Sequence, residues 1–316
     1  MLQPTEHISF RTEVSIPQAS FRINHDSRLL LLGSCFSDNI GERLLRAGFN
    51  AQINPFGTLY NPLSIATVLS RLLDNQPLQP EEIQSFRQEG YGSWLSHTLL
   101  SRPTSEETLS LHNDILARAA EHLRHTDVLL ITFGTAWVYR LADTRMVVSN
   151  CHHELPSRFI RECLSVEDIL TNWTTLIHHL HATLPNLRII FTVSPIRHLR
   201  DGAHANQLSK ATLLLAINHL LHSSHNPSHT SEEPVPNSSP DVGEVSALHY
   251  FPAYELLLDD LRDYRFYADD MLHPSPVAID YIWSRFSAAY FDAPTLSEAA
   301  RHEKAFRASA HRPLRT

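Results

Sequence analysis

Short apolar runs alternate along the chain with stretches in which apolar residues recur every three or four positions. The continuous runs are typical of strands buried on both faces, and they lie at 28–32, 51–53, 127–133, 187–193 and 245–250. Helical spacing predicts helices at 39–47, 62–73, 106–124, 166–183, 206–221 and 254–261, and a last helix from 276 to 286 or further. This alternation predicts an α/β fold with a mainly parallel five-stranded sheet that helices cover on both faces.

Three segments interrupt the alternation. We interpret 78–103 as an insertion with a small hairpin and 137–149 as a second hairpin. The segment 222–244 is rich in Ser, Pro, Asn and His, which predicts a flexible polar insertion loop. The expected organisation is one α/β domain, flanked by an N-terminal extension and a polar C-terminal tail, with boundaries at 21–291, 1–20 and 292–316.

Residues that could take part in binding or catalysis follow the predicted strands. Ser34, Gly57 and Gly134 come directly after three of them, and 194–198 follows a fourth. In a parallel sheet joined by right-handed crossovers, ligands bind outside the carboxyl ends of the strands. We therefore expect these residues to meet in one cleft.

The turn Gly33-Ser34 links the first strand to the first helix. Exposed nucleophiles often sit on such a turn, where the positive end of the helix dipole points at the same place. Ser34 is accordingly the candidate nucleophile, and a simple helix N-cap is the competing interpretation. Cys35 is the stronger nucleophile in principle, but as the first helical residue it is expected to face away from the cleft.

Asp270 and His273 lie three residues apart just before the last helix. Residues so spaced face the same side of one turn, so the carboxylate can orient the imidazole as a general base. Asp269 is an alternative orienting acid, and an ordinary surface ion pair is the alternative to catalysis. With Ser34, the pair would form a Ser-His-Asp triad for acyl transfer if the fold brings both ends together.

Acyl transfer also needs hydrogen-bond donors for the developing oxyanion. The candidates are the backbone N–H groups of Ser34 and Gly57 and the segment Gly134-Thr135. Turn geometry explains the two glycines equally well.

Arg197 and His198 follow the fourth core strand. An arginine in that position can grip a carboxylate or a phosphate of a ligand. A structural ion pair of Arg197 with Asp201 or Glu255 is the alternative.

Composition narrows the classes of function. With 42% hydrophobic and 19% charged residues among 316, the chain is of the globular type. A net charge of -8 argues against nucleic-acid binding, and three cysteines do not form a disulfide framework. The start of the chain has no apolar segment of a signal peptide, and no run reaches the ~20 residues that span a membrane. We therefore expect a cytoplasmic protein. We also expect it to bind no metal, because the many histidines lack metal-ligand spacing.

Several motifs resemble one family along most of the chain. Gly33-Ser34-Cys35-Phe36 resembles the motif that names the GSCFA family of bacterial proteins, with Ser37 where alanine is usual. The other stretches that resemble this family, within about 21–291, are Asn54-Pro55-Phe56-Gly57, Phe133-Gly134-Thr135-Ala136-Trp137, Ser194 to Asp201, Asp263 to Tyr267 and Asp270 to Pro274.

That family is similar in turn to the SGNH, or GDSL-like, hydrolases, which act on esters of lipids, sugars and acylated polymers. The resemblance implies a flavodoxin-like α/β/α sandwich of three layers. It also implies that Ser34 is the block-one serine, Gly57 the block-two glycine, and Asp270 and His273 the block-five acid and base.

The block-three asparagine of the superfamily is missing, because Gly134-Thr135-Ala136 stands in its place. Thr135, Asn54 or Asn61 would have to supply that donor. The expected function is a serine-type ester hydrolase, deacetylase-like or acting on other acyl esters, that needs no cofactor and takes a small-molecule or carbohydrate ester. An O-acyltransferase with the same triad and a non-catalytic binding module are the alternatives.

Overall fold

The computed structural model describes residues 12–223 and 247–310. Its strands are β1 (Arg28–Gly33), β2 (Asn50–Ile53), β3 (Gln84–Phe86), β4 (Gly90–Gly92), β5 (Val128–Phe133), β6 (Trp137–Leu141), β7 (Val147–Val148), β8 (Phe159–Cys163), β9 (Arg188–Val193) and β10 (Leu248–Tyr250). Its α-helices are α1 (Cys35–Arg46), α2 (Pro62–Asp74), α3 (Ser105–Arg124), α4 (Val166–Thr183), α5 (Gly202–Ser223), α6 (Ala253–Glu255), α7 (Pro276–Tyr290) and α8 (Ala293–Ala310).

The central sheet contains five parallel strands in the spatial order β2-β1-β5-β9-β10. Numbered by their place in the chain, these strands follow the order 2-1-3-4-5, which is that of flavodoxin-like sheets. The prediction of an α/β fold with a five-stranded parallel sheet is therefore confirmed. The site is expected where this order reverses, at the carboxyl ends of β1 and β5.

Helices cover both faces of the sheet because successive side chains of each strand point to opposite sides. Leu30 and Leu32 of β1 pack into one apolar cluster with α2, α3, α4 and α5. Leu29 and Leu31 pack into a second cluster with α1, α7 and α8. Every residue of β5 is buried, as the apolar run predicted for a central strand.

A smaller antiparallel sheet, β7-β6-β8, stands beside the central one. The predicted hairpin within 137–149 is present, but its third strand β8 was not predicted. Phe86 of the β3–β4 hairpin and Trp94 pack with Leu141 and Val148, so the insertion 78–103 closes the apolar side of this small sheet.

Two other predictions differ from the structure at chain ends. Residues 293–310, expected in a polar tail, form α8, which packs through Ala299 on the second cluster and places Phe306 near the guanidinium of Arg46. Helix α5 runs on to Ser223, and the rest of the predicted polar loop lies outside the described residues.

One of the contacts that hold the segment before β1 to the rest of the structure is made by a buried carboxylate. Asp260 accepts hydrogen bonds from the backbone N–H of Val14, the hydroxyl of Tyr281 and the guanidinium of Arg285, each at 2.7 Å. Its side chain is fully buried, so these bonds replace the water that the charge has lost.

Candidate functional site

Gly33 ends β1 in a conformation that only glycine adopts easily. Its φ is +146°, and a Cβ in this position would overlap the carbonyl oxygen of Thr132 on β5. The close approach lets the chain turn sharply from the strand into α1, at the carboxyl edge of the sheet.

Ser34 is the N-cap of α1. Its side chain accepts a hydrogen bond from the backbone N–H of Phe36 at 3.3 Å, and the residue is fully buried. Its own N–H donates to the carbonyl of Thr132. Within the described chain no hydrogen bond joins Ser34 to His273, so the predicted contact between these two residues is not observed.

Cys35 makes that contact instead. Its Sγ lies 3.7 Å from Nε2 of His273, at a partly exposed position. The expectation that residue 35 faces away was wrong, because the backbone turn at Gly33 directs the Ser34 hydroxyl to the Phe36 N–H and the first helical side chain, Cys35, towards His273. The residue that faces His273 is therefore Cys35, one position after the predicted nucleophile.

Asp270 and His273 are joined as predicted. Oδ2 of Asp270 lies 2.6 Å from Nδ1 of His273, while Oδ1 accepts the backbone N–H groups of Leu272 and His273 at 2.9 and 3.0 Å. The N–H of His273, then that of Leu272 and then the ring of His273, lower the pKa of Asp270 to about 2. The carboxylate is therefore ionised at neutral pH and holds the imidazole with Nε2 turned to the sulfur.

The Cys35 thiol is predominantly neutral at physiological pH. Burial, followed by the carboxylate of Asp38, raises the pKa of Cys35, while the N–H groups of Cys35 and Phe36 and the ammonium of Lys210 oppose this change. A thiolate at this position therefore requires a base, and His273 is in contact.

A cavity of about 460 Å³ opens beside these groups. Cys35 and His273 line part of it, and residues of β6, β7 and β8 and of the segments after β2, β5, β7 and β9 line most of the rest. Its wall includes Tyr60, Asn61, Thr135, Trp137, Tyr139, Ser149, Cys151, Arg161, Arg197, His198, Arg200 and Asp201.

Three predicted oxyanion residues are committed to the scaffold, which corrects their assignment. The N–H of Gly57 donates to the carbonyl of Asn54 at 2.7 Å, and that of Gly134 donates to Tyr60 at 2.9 Å. Asn54 accepts from Gly33 N–H at 2.9 Å and donates to Asp38 at 2.7 Å. These three residues are not among those that line the cavity, and the predicted N–H donor of Ser34 is committed as well, because it donates to the carbonyl of Thr132.

Thr135 and Asn61 do line the cavity. The Thr135 hydroxyl is within 3.1 Å of the Ser209 hydroxyl and accepts the N–H of Trp137. Asn61 caps α2 through Ser64 N–H at 2.8 Å. The N–H of Cys35 is a candidate donor for an oxyanion at the sulfur, because Cys35 is the first residue of α1 and the first N–H groups of a helix have no intrahelical partner.

Arg197 and His198 both reach the cavity. Arg197 stacks over the ring of Tyr267 at 4.2 Å, and Asp201, one of its predicted ion-pair partners, is paired with Arg161. Burial, then Lys210 and then His273, lower the pKa of His198 to about 4, so its ring is neutral at pH 7.

Glu255, the other predicted partner of Arg197, accepts a hydrogen bond from the hydroxyl of Tyr250 at 2.8 Å. The alternative of an ion pair between Arg197 and either acid is therefore wrong.

Sequence reasoning missed Lys210 on α5. The residue is 1% exposed, and its ammonium donates to the carbonyls of Gly134 and Ser194 at 2.6 and 2.7 Å. It therefore ties together the segments that follow β5 and β9, and burial lowers its pKa to about 7. The signal was a lysine on a helix face whose other members, such as Leu213 and Ile217, are buried.

Two searches over residues 12–223 and 247–310 gave negative results. No group of three or more His, Cys, Asp or Glu residues is arranged to hold a metal ion. No helix there has the length and apolar character needed to cross a membrane.

Fold and site together define an α/β protein with a Cys-His-Asp series at the carboxyl edge of a parallel sheet. The sequence matches the family model of GSCFA over residues 28–286, and the chain therefore belongs to the GSCFA family. Among curated proteins, none matches the sequence significantly.

Solved structures with partial similarity to this chain include carbohydrate esterases. A family 3 carbohydrate esterase from Talaromyces cellulolyticus is 9% identical, with a TM-score of 0.36 over 83% of this chain and 95% of its own. A family 3 carbohydrate esterase of Clostridium thermocellum is 9% identical, with a TM-score of 0.35 over 83% of this chain and 94% of its own. An acetyl xylan esterase from Butyrivibrio proteoclasticus is 10% identical, with a TM-score of 0.40 over 87% of this chain and 64% of its own. At this level of similarity the neighbours say nothing about the chemistry of this chain.

Proposed function

We propose that this protein is a thiol-dependent acyl-ester hydrolase in which Cys35 is the nucleophile, His273 the general base and Asp270 the residue that orients it. The observation that carries the proposal is the series of contacts Cys35 Sγ to His273 Nε2 at 3.7 Å and His273 Nδ1 to Asp270 Oδ2 at 2.6 Å. A nucleophile, a base and an orienting acid in hydrogen-bond series beside a cavity are the arrangement of nucleophilic acyl transfer.

In the first half of the reaction, Nε2 of His273 takes the thiol proton as the sulfur attacks the ester carbonyl. Asp270 stabilises the imidazolium that forms, and the N–H of Cys35 donates to the oxyanion. Collapse of the tetrahedral intermediate breaks the carbon–oxygen bond, and the imidazolium protonates the departing alkoxide. The acyl group is left on Cys35 as a thioester.

In the second half, His273 takes a proton from a water molecule that attacks the thioester. The acid is released, and the thiol regains its proton from the imidazolium. No step consumes an oxidant, a reductant or a cofactor.

The test compares neighbouring nucleophiles. Hydrolysis of 4-nitrophenyl acetate should fall about 10³-fold or more in Cys35→Ala and in His273→Gln, as for working triads. Ser34→Ala is the matched control, because it removes the adjacent hydroxyl and leaves the Cys35–His273 contact in place. It should retain turnover within a few-fold while losing helix stability.

Chemical labelling gives an independent result. Iodoacetamide should alkylate Cys35 with loss of hydrolysis, and Cys151→Ala and Cys163→Ala should not protect the enzyme. If hydrolysis and fluorophosphonate labelling survive Cys35→Ala and disappear in Ser34→Ala, the serine hypothesis from the sequence is correct and the proposal is wrong.

A further inference from the structure

Four residues in the wall of the cavity beside Cys35 each hold one buried polar atom that has no hydrogen-bond partner in the described chain. These atoms are Nε1 of Trp137, Oγ of Ser149, Nε of Arg161 and Nε2 of His198. Buried polar groups in folded proteins are nearly always paired, so each such atom requires an explanation. Their convergence on one cavity indicates that a ligand completes them.

The chemistry of these atoms restricts the ligand. Trp137 Nε1–H and Arg161 Nε–H can only donate, and the neutral ring of His198 and the Ser149 hydroxyl are able to donate as well. The Arg161 guanidinium is fixed in place, because it stacks over the Trp137 ring at 4.2 Å and pairs with Asp201. The complementary ligand therefore presents several acceptor oxygens.

The charges on the wall restrict it further. Arg161, Arg197 and Arg200 line the cavity against one carboxylate, Asp201, which Arg161 already pairs. In the part of the chain that the structure describes, Arg197 and Arg200 have no carboxylate partner. The guanidinium of Arg200 bonds the Tyr139 hydroxyl, and that of Arg197 stacks on Tyr267. This wall is positive although the whole chain carries a net charge of -8.

We propose that the ester taken by this site carries a second, anionic oxygen group, a carboxylate or a phosphate, which binds Arg197 and Arg200 while Trp137, Arg161 and His198 donate to neighbouring oxygens. The inference rests on the proposed function only in taking the ligand to be an ester; the binding of an anionic group does not depend on it. The cavity volume suits a small polyhydroxylated acid rather than a polymer segment buried along its length. Guanidinium groups match the geometry of both anions.

The test measures binding without turnover, as protection of Cys35 from iodoacetamide in the full-length protein, followed by peptide mass spectrometry. The probes are glucuronate, glucose 6-phosphate and, as the neutral control, glucose. At least one anion should protect in a saturable way, and glucose should not protect at the same concentration. The anion that protects at the lower concentration, glucuronate or glucose 6-phosphate, shows whether the site prefers a carboxylate or a phosphate. Protection should weaken as NaCl is raised, because charges contribute to it.

Three variants locate the binding. Arg197→Gln and Arg200→Gln should each raise the half-protecting concentration at least about tenfold, the usual cost of a hydrogen bond to a charged group. Trp137→Phe keeps the ring and removes one N–H, and should raise it roughly fivefold. Arg262→Gln is the control, because this exposed arginine lies outside the cavity wall and should change nothing. If an arginine variant fails to fold, Trp137→Phe and the salt dependence still decide.

Equal protection by glucose, or unchanged protection in the folded variants, would overturn this inference. Failure of the proposed function looks different, because hydrolysis of 4-nitrophenyl acetate would then be insensitive to Cys35→Ala while anions still protect the thiol.

Discussion

His198 should make this protein sensitive to mild acid. Its ring is largely buried beside Lys210 and His273, and no partner for Nε2 is found in the described residues. These surroundings, burial first, lower the pKa of His198 to about 4, against about 6.5 in an unfolded chain. The folded protein therefore keeps the ring neutral at a pH at which the unfolded chain already binds a proton.

The direction and the size of the effect follow from this difference in pKa. Well above pH 6.5 both states hold a neutral ring, and His198 does not change the free energy of unfolding. As the pH falls below 6.5 the unfolded state gains protons, so the free energy of unfolding decreases until the folded ring also titrates near pH 4. The loss is about 2 kcal/mol at pH 5 and about 3 kcal/mol at its limit.

The assay is urea unfolding followed by tryptophan fluorescence at pH 7.5 and pH 5.0, for the wild type and for His198→Gln. The wild type should lose about 2 kcal/mol more than the variant between the two pH values. Other histidines with a lowered pKa, such as His112, are present in both proteins and cancel in the difference. If both proteins lose the same free energy, the argument that His198 is buried in a neutral state is wrong.

Three further predictions concern the scaffold and the thiol. Gly33→Ala should cost at least about 3 kcal/mol or prevent folding, because its Cβ overlaps Thr132, whereas Gly202→Ala, with φ +86° and open space around it, should cost about 1–2 kcal/mol in urea unfolding. Asp260→Ala should cost about 3–5 kcal/mol by the same measurement, since it leaves a partly buried guanidinium without its carboxylate; a loss below 1 kcal/mol would contradict this. Alkylation of Cys35 by iodoacetamide should still rise with pH at pH 9, because burial raises the pKa of this thiol; a plateau below pH 7 would indicate a preformed thiolate.

The regular elements were largely predictable from local pattern. The run of six buried residues in β5 indicated a central strand, and Ser275 followed by Pro276 marked the N-cap and first turn of α7. Both signals act over a few residues and depend on backbone and burial requirements that hold in any fold. Helix α8 escaped prediction because its sequence is mostly polar and only part of one face, including Ala299, is buried.

The contact between Asp270 and His273 was predictable for the same reason, since the two residues lie three positions apart in one loop. Which of Ser34 and Cys35 faces His273 was not predictable from the sequence. These neighbours differ by a rotation of about 100° around the helix start, and which of them faces His273 depends on the backbone turn from Gly33 into α1 and on a loop more than 230 residues away.

The sequence by itself determined the alternation of strands and helices, the family, and the contact between Asp270 and His273, because each follows from periodicity or from residues close together in the chain. Only the tertiary structure decided that the sulfur of Cys35, rather than the hydroxyl of Ser34, contacts His273. It also decided that Asn54 and Gly57 form hydrogen bonds within the scaffold, and that Arg161, Arg197 and Arg200 share one cavity wall. These outcomes depend on distances between segments far apart in the chain, which packing of the two layers of helices on the sheet sets and local pattern does not encode.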